Sequence, residues 1–229
     1  MSKPLNHTPK AEGWLSPLKH SVFRSLWSVW LVANICMWMN DVAAAWTMTS
    51  LTTSATLIAL VQTASSMPVL LLGIPSGALA DIINRKHYFL FAQIWLATNA
   101  TALMLFIAFD ALNPYLLLLL TFTNGIGLAM RWPIFAAVVP ELVPRDILPS
   151  ALALNAIAMN TSRIIGPLTA GAIIAAAGSK YVFALNMILS LITTIIVMRW
   201  KYQNYVSALP GERFVGAMRV GIQYAWQSN

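Results

Sequence analysis

Asp41, Arg131 and Arg163 lie inside long apolar runs of the sequence. A charge at mid-bilayer costs about 2.5–3.5 kcal/mol on insertion scales, so each of the three calls for a partner or a task. A carboxylate and two guanidiniums in apolar surroundings can pair with one another or couple to ions; they are poorly equipped to break bonds. Asp41 lies 17 residues beyond Arg24, roughly 25 Å at about 1.5 Å per helical residue. Arg163 lies 15 residues beyond Leu148, roughly 22 Å from the same face. These depths allow Asp41 and Arg163 to form an ion pair, or each to face a wet cavity separately. Arg131 is nearer its helix end and is followed by Pro133, whose ring frees a backbone carbonyl. Snorkelling accounts for Arg131. Among neutral polar residues in the apolar runs, Asn34, Asn124, Asn155 and Asn160 are the candidates expected to line a cavity, and any of them, like Asn40 and Gln62, has the option of bonding across helices instead.

Hydrolytic chemistry has no footing in these residues. His7, His20 and His87 all fall in tails or loops, so no intramembrane serine has a base. Gly73-Ile74-Pro75-Ser76-Gly77 fails the spacing of a nucleophile motif. Neither H-E-x-x-H nor G-x-x-x-x-G-K-[ST] occurs, so neither zinc proteolysis nor ATP hydrolysis is encoded. No metal or cofactor is implied.

The elements that must position these groups follow from composition. Of the 229 residues, 59% are hydrophobic and 9% charged. A soluble domain carries about 25% charged residues, so lipid has to be most of this chain's solvent. Six runs are long enough to cross a ~30 Å hydrocarbon core: 23–47, 57–80, 88–109, 115–139, 148–177 and 181–200. Short loops join them, so successive helices are antiparallel. The runs lack the period-two alternation of a closed barrel. The expected fold is an all-α polytopic membrane protein of six transmembrane helices, with tails at 1–22 and 201–229.

Eleven of the fourteen Lys and Arg residues fall on one side: Lys3, Lys10, Lys19, Arg24, Arg85, Lys86, Arg145, Arg199, Lys201, Arg213 and Arg219. Only Lys180 is on the other. The positive-inside rule then places both termini in the cytoplasm. Because the basic residues are divided among the tails and alternate short loops, the net charge of +7 does not describe a nucleic-acid surface. Cys36, the single cysteine, cannot form an intrachain disulfide. The polar N-terminal residues carry no removable signal pattern. In 211–226, Phe214, Met218, Ile222 and Ala225 recur at helical spacing, as in an amphipathic helix on the cytoplasmic face; a linker is the other reading.

After the second run comes Gly77-Ala78-Leu79-Ala80-Asp81-Ile82-Ile83-Asn84-Arg85-Lys86. This resembles the signature loop of the major facilitator superfamily, with Gly77, Leu79, Asp81 and Arg85 at the family's spacing. The resemblance implies that Gly77, Asp81, Arg85 and Lys86 form a gating loop that locks the cytoplasmic side during alternating access. Asp81 ends a helix, where the dipole disfavours an anion, so it should have a cationic or helix-N-terminal partner. Asn84 stands where the family has glycine, and asparagine tolerates a left-handed turn.

Pro133, Pro140-Glu141-Leu142-Val143-Pro144-Arg145, Leu152-Ala153-Leu154-Asn155, Asn160, Arg163 and Gly166-Pro167 are similar to the branch containing the enterobactin exporter and related secretion proteins. Gly166-Pro167-x-x-Ala170-Gly171 also resembles the exporters' fifth-helix motif, with Ala170 for one glycine. Ala158, Ser162, Gly166 and Ala170 form a small-residue ladder, and Gly73 and Gly77 a shorter one. In the family such faces meet the other half of the molecule, which the Gly166-Pro167 pair favours; ordinary packing within this half is the other reading. The family also sets the first and fifth helices side by side, which favours the Asp41–Arg163 pair. One departure is Thr121, where the family's fourth-helix arginine would fall.

The resemblance covers the first half of the family fold. It implies export of a small molecule such as a siderophore or drug, with membrane lipid, the substrate and a second six-helix half as partners. That half would come from a continuation or from a separate chain. A truncated or split half, inactive alone and serving as a membrane-embedded interaction partner, is the alternative expectation.

Overall fold

The fold is that of a computed structural model describing residues 13–200, apart from the side chain of Asp81. The expected amphipathic helix at 211–226 lies outside the described residues. A short 3-10 turn, Ser16–Lys19, leads into six long helices. They are α1 (Ser21–Leu51), α2 (Ala55–Ile82), α3 (Arg85–Ala108), α4 (Pro114–Leu142), α5 (Leu148–Ala177) and α6 (Ser179–Arg199). Local chemistry sets their ends. Ser54 caps α2 by accepting from the Leu57 amide at 3.5 Å. Asn113 caps α4 by accepting from Leu116 at 2.9 Å, with Pro114 opening the helix. Gly178, at φ 102°, separates α5 from α6 and adopts a backbone that side-chain-bearing residues avoid.

Helices α1 to α4 and α6 are long and apolar enough to cross a membrane. Helix α5 has the length, 30 residues, but Asn155, Asn160, Ser162 and Arg163 dilute its apolar content. The chain is therefore a multi-pass membrane protein with five clear spans and a sixth long helix packed among them.

Helix α1 packs on α5 and α6, α2 on α4, and α3 on α4 and α6. Gly125 and Gly127 permit the tight contacts of α4. A Cβ at Gly125 would come 2.7 Å from the Ser65 carbonyl oxygen of α2, and one at Gly127 2.6 Å from Leu96 of α3. Small residues at such contacts let backbones approach where no water drives helices together. Part-buried side-chain bonds add glue: Trp27 Nε1 donates to the Leu154 carbonyl at 3.1 Å, and Thr47 bonds Ser179 at 2.9 Å. Asn99 donates to the Leu120 carbonyl at 3.1 Å.

The core is layered along the helices. An apolar cluster at one end holds Phe23, Leu26, Trp30, Phe89, Phe135 and Leu154. A second, at the other end, holds Met39, Met48, Leu117, Leu103 and Phe183. Between them in register lie Gln93, Asn124, Arg131, Asn186 and Thr193, a polar middle.

Candidate functional site

The α2–α3 junction carries the signature loop. Asp81 closes the last turn of α2, and its side chain lies outside the described residues. Asn84 has φ −53° and accepts from the amides of Lys86 at 3.1 Å and His87 at 3.3 Å. The left-handed turn expected at this position does not form; asparagine serves as the N-cap of α3. The first turn of α3 then projects Arg85 towards α4. Its guanidinium donates to the Ala137 carbonyl at 3.0 Å and pairs with Glu141. A charged, carbonyl-bonded arginine thus ties the loop to the last turns of α4. Gly77 faces the same helix, with Pro133 4.0 Å from where its Cβ would stand. Lys86 is half-buried beside this contact.

The intramembrane charges are arranged otherwise than expected. Asp41 accepts from Ser65 Oγ at 2.9 Å, bridging α1 and α2. The guanidinium of Arg163 lies 5.5 Å from the Trp38 ring centroid, on an exposed stretch of α5. The expected Asp41–Arg163 ion pair is not made. Although α1 and α5 are neighbours, Asp41 is turned to α2, and a tryptophan face takes the cation.

Arg131 does not snorkel. It is 3% exposed, 5.6 Å from the centroid of Trp30, whose ring stacks on Phe135 at 4.0 Å. One Nη donates weakly to the Ala33 carbonyl at 3.5 Å, and Nε has no partner. Its side chain points into the bundle and away from the exposed side of α4 that carries Trp132.

A cavity of about 20 Å³ opens beside Arg131 among α1, α3, α4 and α6. Asn186 donates to Asn40 at 3.1 Å and Gln93 donates to Thr193 at 2.9 Å along its walls. Of the four asparagines expected in a cavity, only Asn124 lines this one. Asn34 is fully buried and bonds back to the Trp30 carbonyl at 2.7 Å, so it lines no open face. Asn155 is half-buried, and Asn160 is exposed and bonds back to Ala156 at 2.9 Å. Sequence reasoning missed Gln93 and Asn186. Asn186, Ser190 and Thr193 recur at i, i+4 and i+7, a polar stripe that could have marked the buried face of α6.

The ladder on α5 is also redirected. Ala158, Ser162, Gly166 and Ala170 are all buried within this bundle. Ser162 Oγ reaches the Leu31 carbonyl at 3.3 Å, and a Cβ on Gly166 would meet Trp38 Cβ at 2.5 Å. The ladder is the α1–α5 seam and is not a face left open for another half. Gly73 and Gly171, by contrast, have nothing within 4 Å of a would-be Cβ. Pro167 lies half-buried inside α5.

Comparison with known proteins agrees with this architecture. The family model for transmembrane secretion effectors matches residues 12–229. Macrolide efflux protein A of Streptococcus pyogenes is 23% identical over 175 residues, covering 76% of this chain and 43% of that protein. The same protein from serotype M6 of that organism gives the same figures. The chain spans less than half the length of the curated relatives it matches. With the signature loop folded onto α4 and the family match running through the whole bundle, the chain belongs to the transmembrane secretion effectors of the major facilitator superfamily, a family of transporters and not of enzymes.

Proposed function

We propose that this bundle is the N-terminal half of a secondary exporter that moves a small molecule out across the cytoplasmic membrane by alternating access. The observation that carries the reading is the tie from Arg85 to Ala137 and Glu141. A latch that joins the α2–α3 loop to the end of α4 can hold one side shut and release it as the helices rock. In this reading both termini are cytoplasmic and α5 completes the sixth span. A second six-helix half, from whichever polypeptide supplies it, covers the exposed face of α2 around Leu70 (81% exposed) and Gly73. Asp41 acts as the coupling group, since it is an acid deep in a span held by a single hydroxyl.

The name of the streptococcal relative supports a drug-sized, amphipathic substrate, and a siderophore is the second candidate. Pump-deficient bacteria expressing the complete coding frame should retain less radiolabelled macrolide, or less labelled catecholate siderophore, than cells carrying an empty vector. Asp41→Asn should restore retention at equal membrane abundance. Equal retention of both probes with and without the protein would refute export of either class.

A further inference from the structure

Arg131 presents an unbalanced account of charge. Its guanidinium is 3% exposed, within the membrane-spanning region, and no carboxylate pairs with it among the described residues. Its protein contacts are the Trp30 face at 5.6 Å and one carbonyl at 3.5 Å, the limit of a hydrogen bond. The Nε–H is unpartnered. A buried cation in such surroundings normally keeps a counter-charge close by.

The cavity beside it has the size and lining to hold one. At about 20 Å³ it has room for a single water or monatomic ion and none for an organic molecule. Besides Arg131, the wall carries the amides of Asn40, Asn124 and Asn186 and the thiol of Cys36. All of these can donate hydrogen bonds. Gln93 at first reads as an exception, because one N–H of its amide is used on Thr193 and its oxygen is left unpartnered. Amide orientation is assigned from the hydrogen-bond network, so the reverse orientation is equally open. With the amide turned over, the Thr193 hydroxyl donates to the Gln93 oxygen. The Ser190 carbonyl it leaves still accepts from Thr194 at 2.7 Å. Both Gln93 N–H groups are then available, and what they need is an acceptor.

We propose that this chamber binds one chloride-sized anion, which neutralises Arg131 and accepts from the surrounding amides. Water would satisfy the donors but leave the positive charge uncompensated; a halide does both. Anion binding here requires no particular transport direction or substrate. It marks the polar middle of the bundle as an ion site formed by four helices of this half.

The purified full chain in detergent should melt roughly 3–5 °C higher in chloride than in gluconate, at matched ionic strength and at about ten times the Kd. Bromide should substitute for chloride. Arg131→Gln should abolish the difference, and Arg131→Lys should keep it at weaker affinity. Should Arg131→Gln fail to fold, Asn124→Leu keeps the cation and fills the chamber, and it should also abolish the difference. Identical melting of the wild type in chloride and gluconate would overturn the site and leave water as the occupant. A halide effect that persists in folded Arg131→Gln or Asn124→Leu would overturn it equally.

Discussion

Gly166→Ala tests the reassignment of the α5 ladder most directly. The added Cβ would stand 2.5 Å from Trp38 Cβ and 3.0 Å from the Ile35 carbonyl oxygen, against 3.4–4 Å for ordinary contact. Neither neighbour is the far end of a flexible side chain, so α1 and α5 have to part by about 1 Å. That separation stretches the 3.3 Å bond from Ser162 to Leu31 past hydrogen-bonding range. Overpacking of this kind costs about 1–3 kcal/mol, offset by up to ~1 kcal/mol from alanine's better helix propensity. A net loss of about 1–2 kcal/mol corresponds to a melting temperature lower by roughly 3–6 °C for a chain of this size. Gly171, five residues on, supplies the control. Nothing lies within 4 Å of its Cβ position, so Gly171→Ala keeps only the propensity gain and should melt no lower than the wild type. Thermal denaturation of the two detergent-solubilised variants reads the difference. Melting temperatures within 1 °C of each other would mean that Gly166 does not lie in a tight seam within this half.

Three further outcomes follow from the same geometry. Arg85→Ala and Glu141→Gln should couple by about 1 kcal/mol in a double-mutant cycle on stability, the two side chains being 26% and 22% exposed and only partly screened; a coupling below ~0.3 kcal/mol would reduce the latch to two independent charges. Asp41→Asn and Arg163→Gln should instead be additive within about 0.5 kcal/mol, since Ser65 and Trp38 hold them apart; strong coupling would restore the ion pair. In a Cys36-free background, a cysteine at Arg85 should resist membrane-impermeant thiol reagent added outside whole cells, as the basic asymmetry requires; rapid labelling there would invert the topology.

Much of the architecture was legible in the order of residues alone. Membrane solvent demands apolar runs of a set length, and the runs at 23–47, 57–80, 88–109, 115–139, 148–177 and 181–200 became α1 to α6 with ends shifted by only a few residues. The signature loop was equally plain, because Gly77, Asp81, Arg85 and Lys86 fall within ten consecutive residues. Facing and pairing were another matter. A span shows lipid, a neighbour or a cavity around one circumference, and apolar side chains suit the first two equally, so periodicity is nearly mute about which is which. The Ser162–Gly166–Ala170 ladder could close on α1 or on another half; only the rotation of α5 about its axis chose α1. Depth alone allowed Asp41 to reach Arg163, but the azimuth of Asp41 on α1 gave it to Ser65. Arg131 could be read as a snorkelling cation until the packing of α1, α3 and α6 buried it inside the bundle. Sequence determined which segments form long apolar helices, because that is a property of one helix in one solvent. Tertiary structure decided which buried polar groups meet, because that depends on the relative rotation of four helices at once.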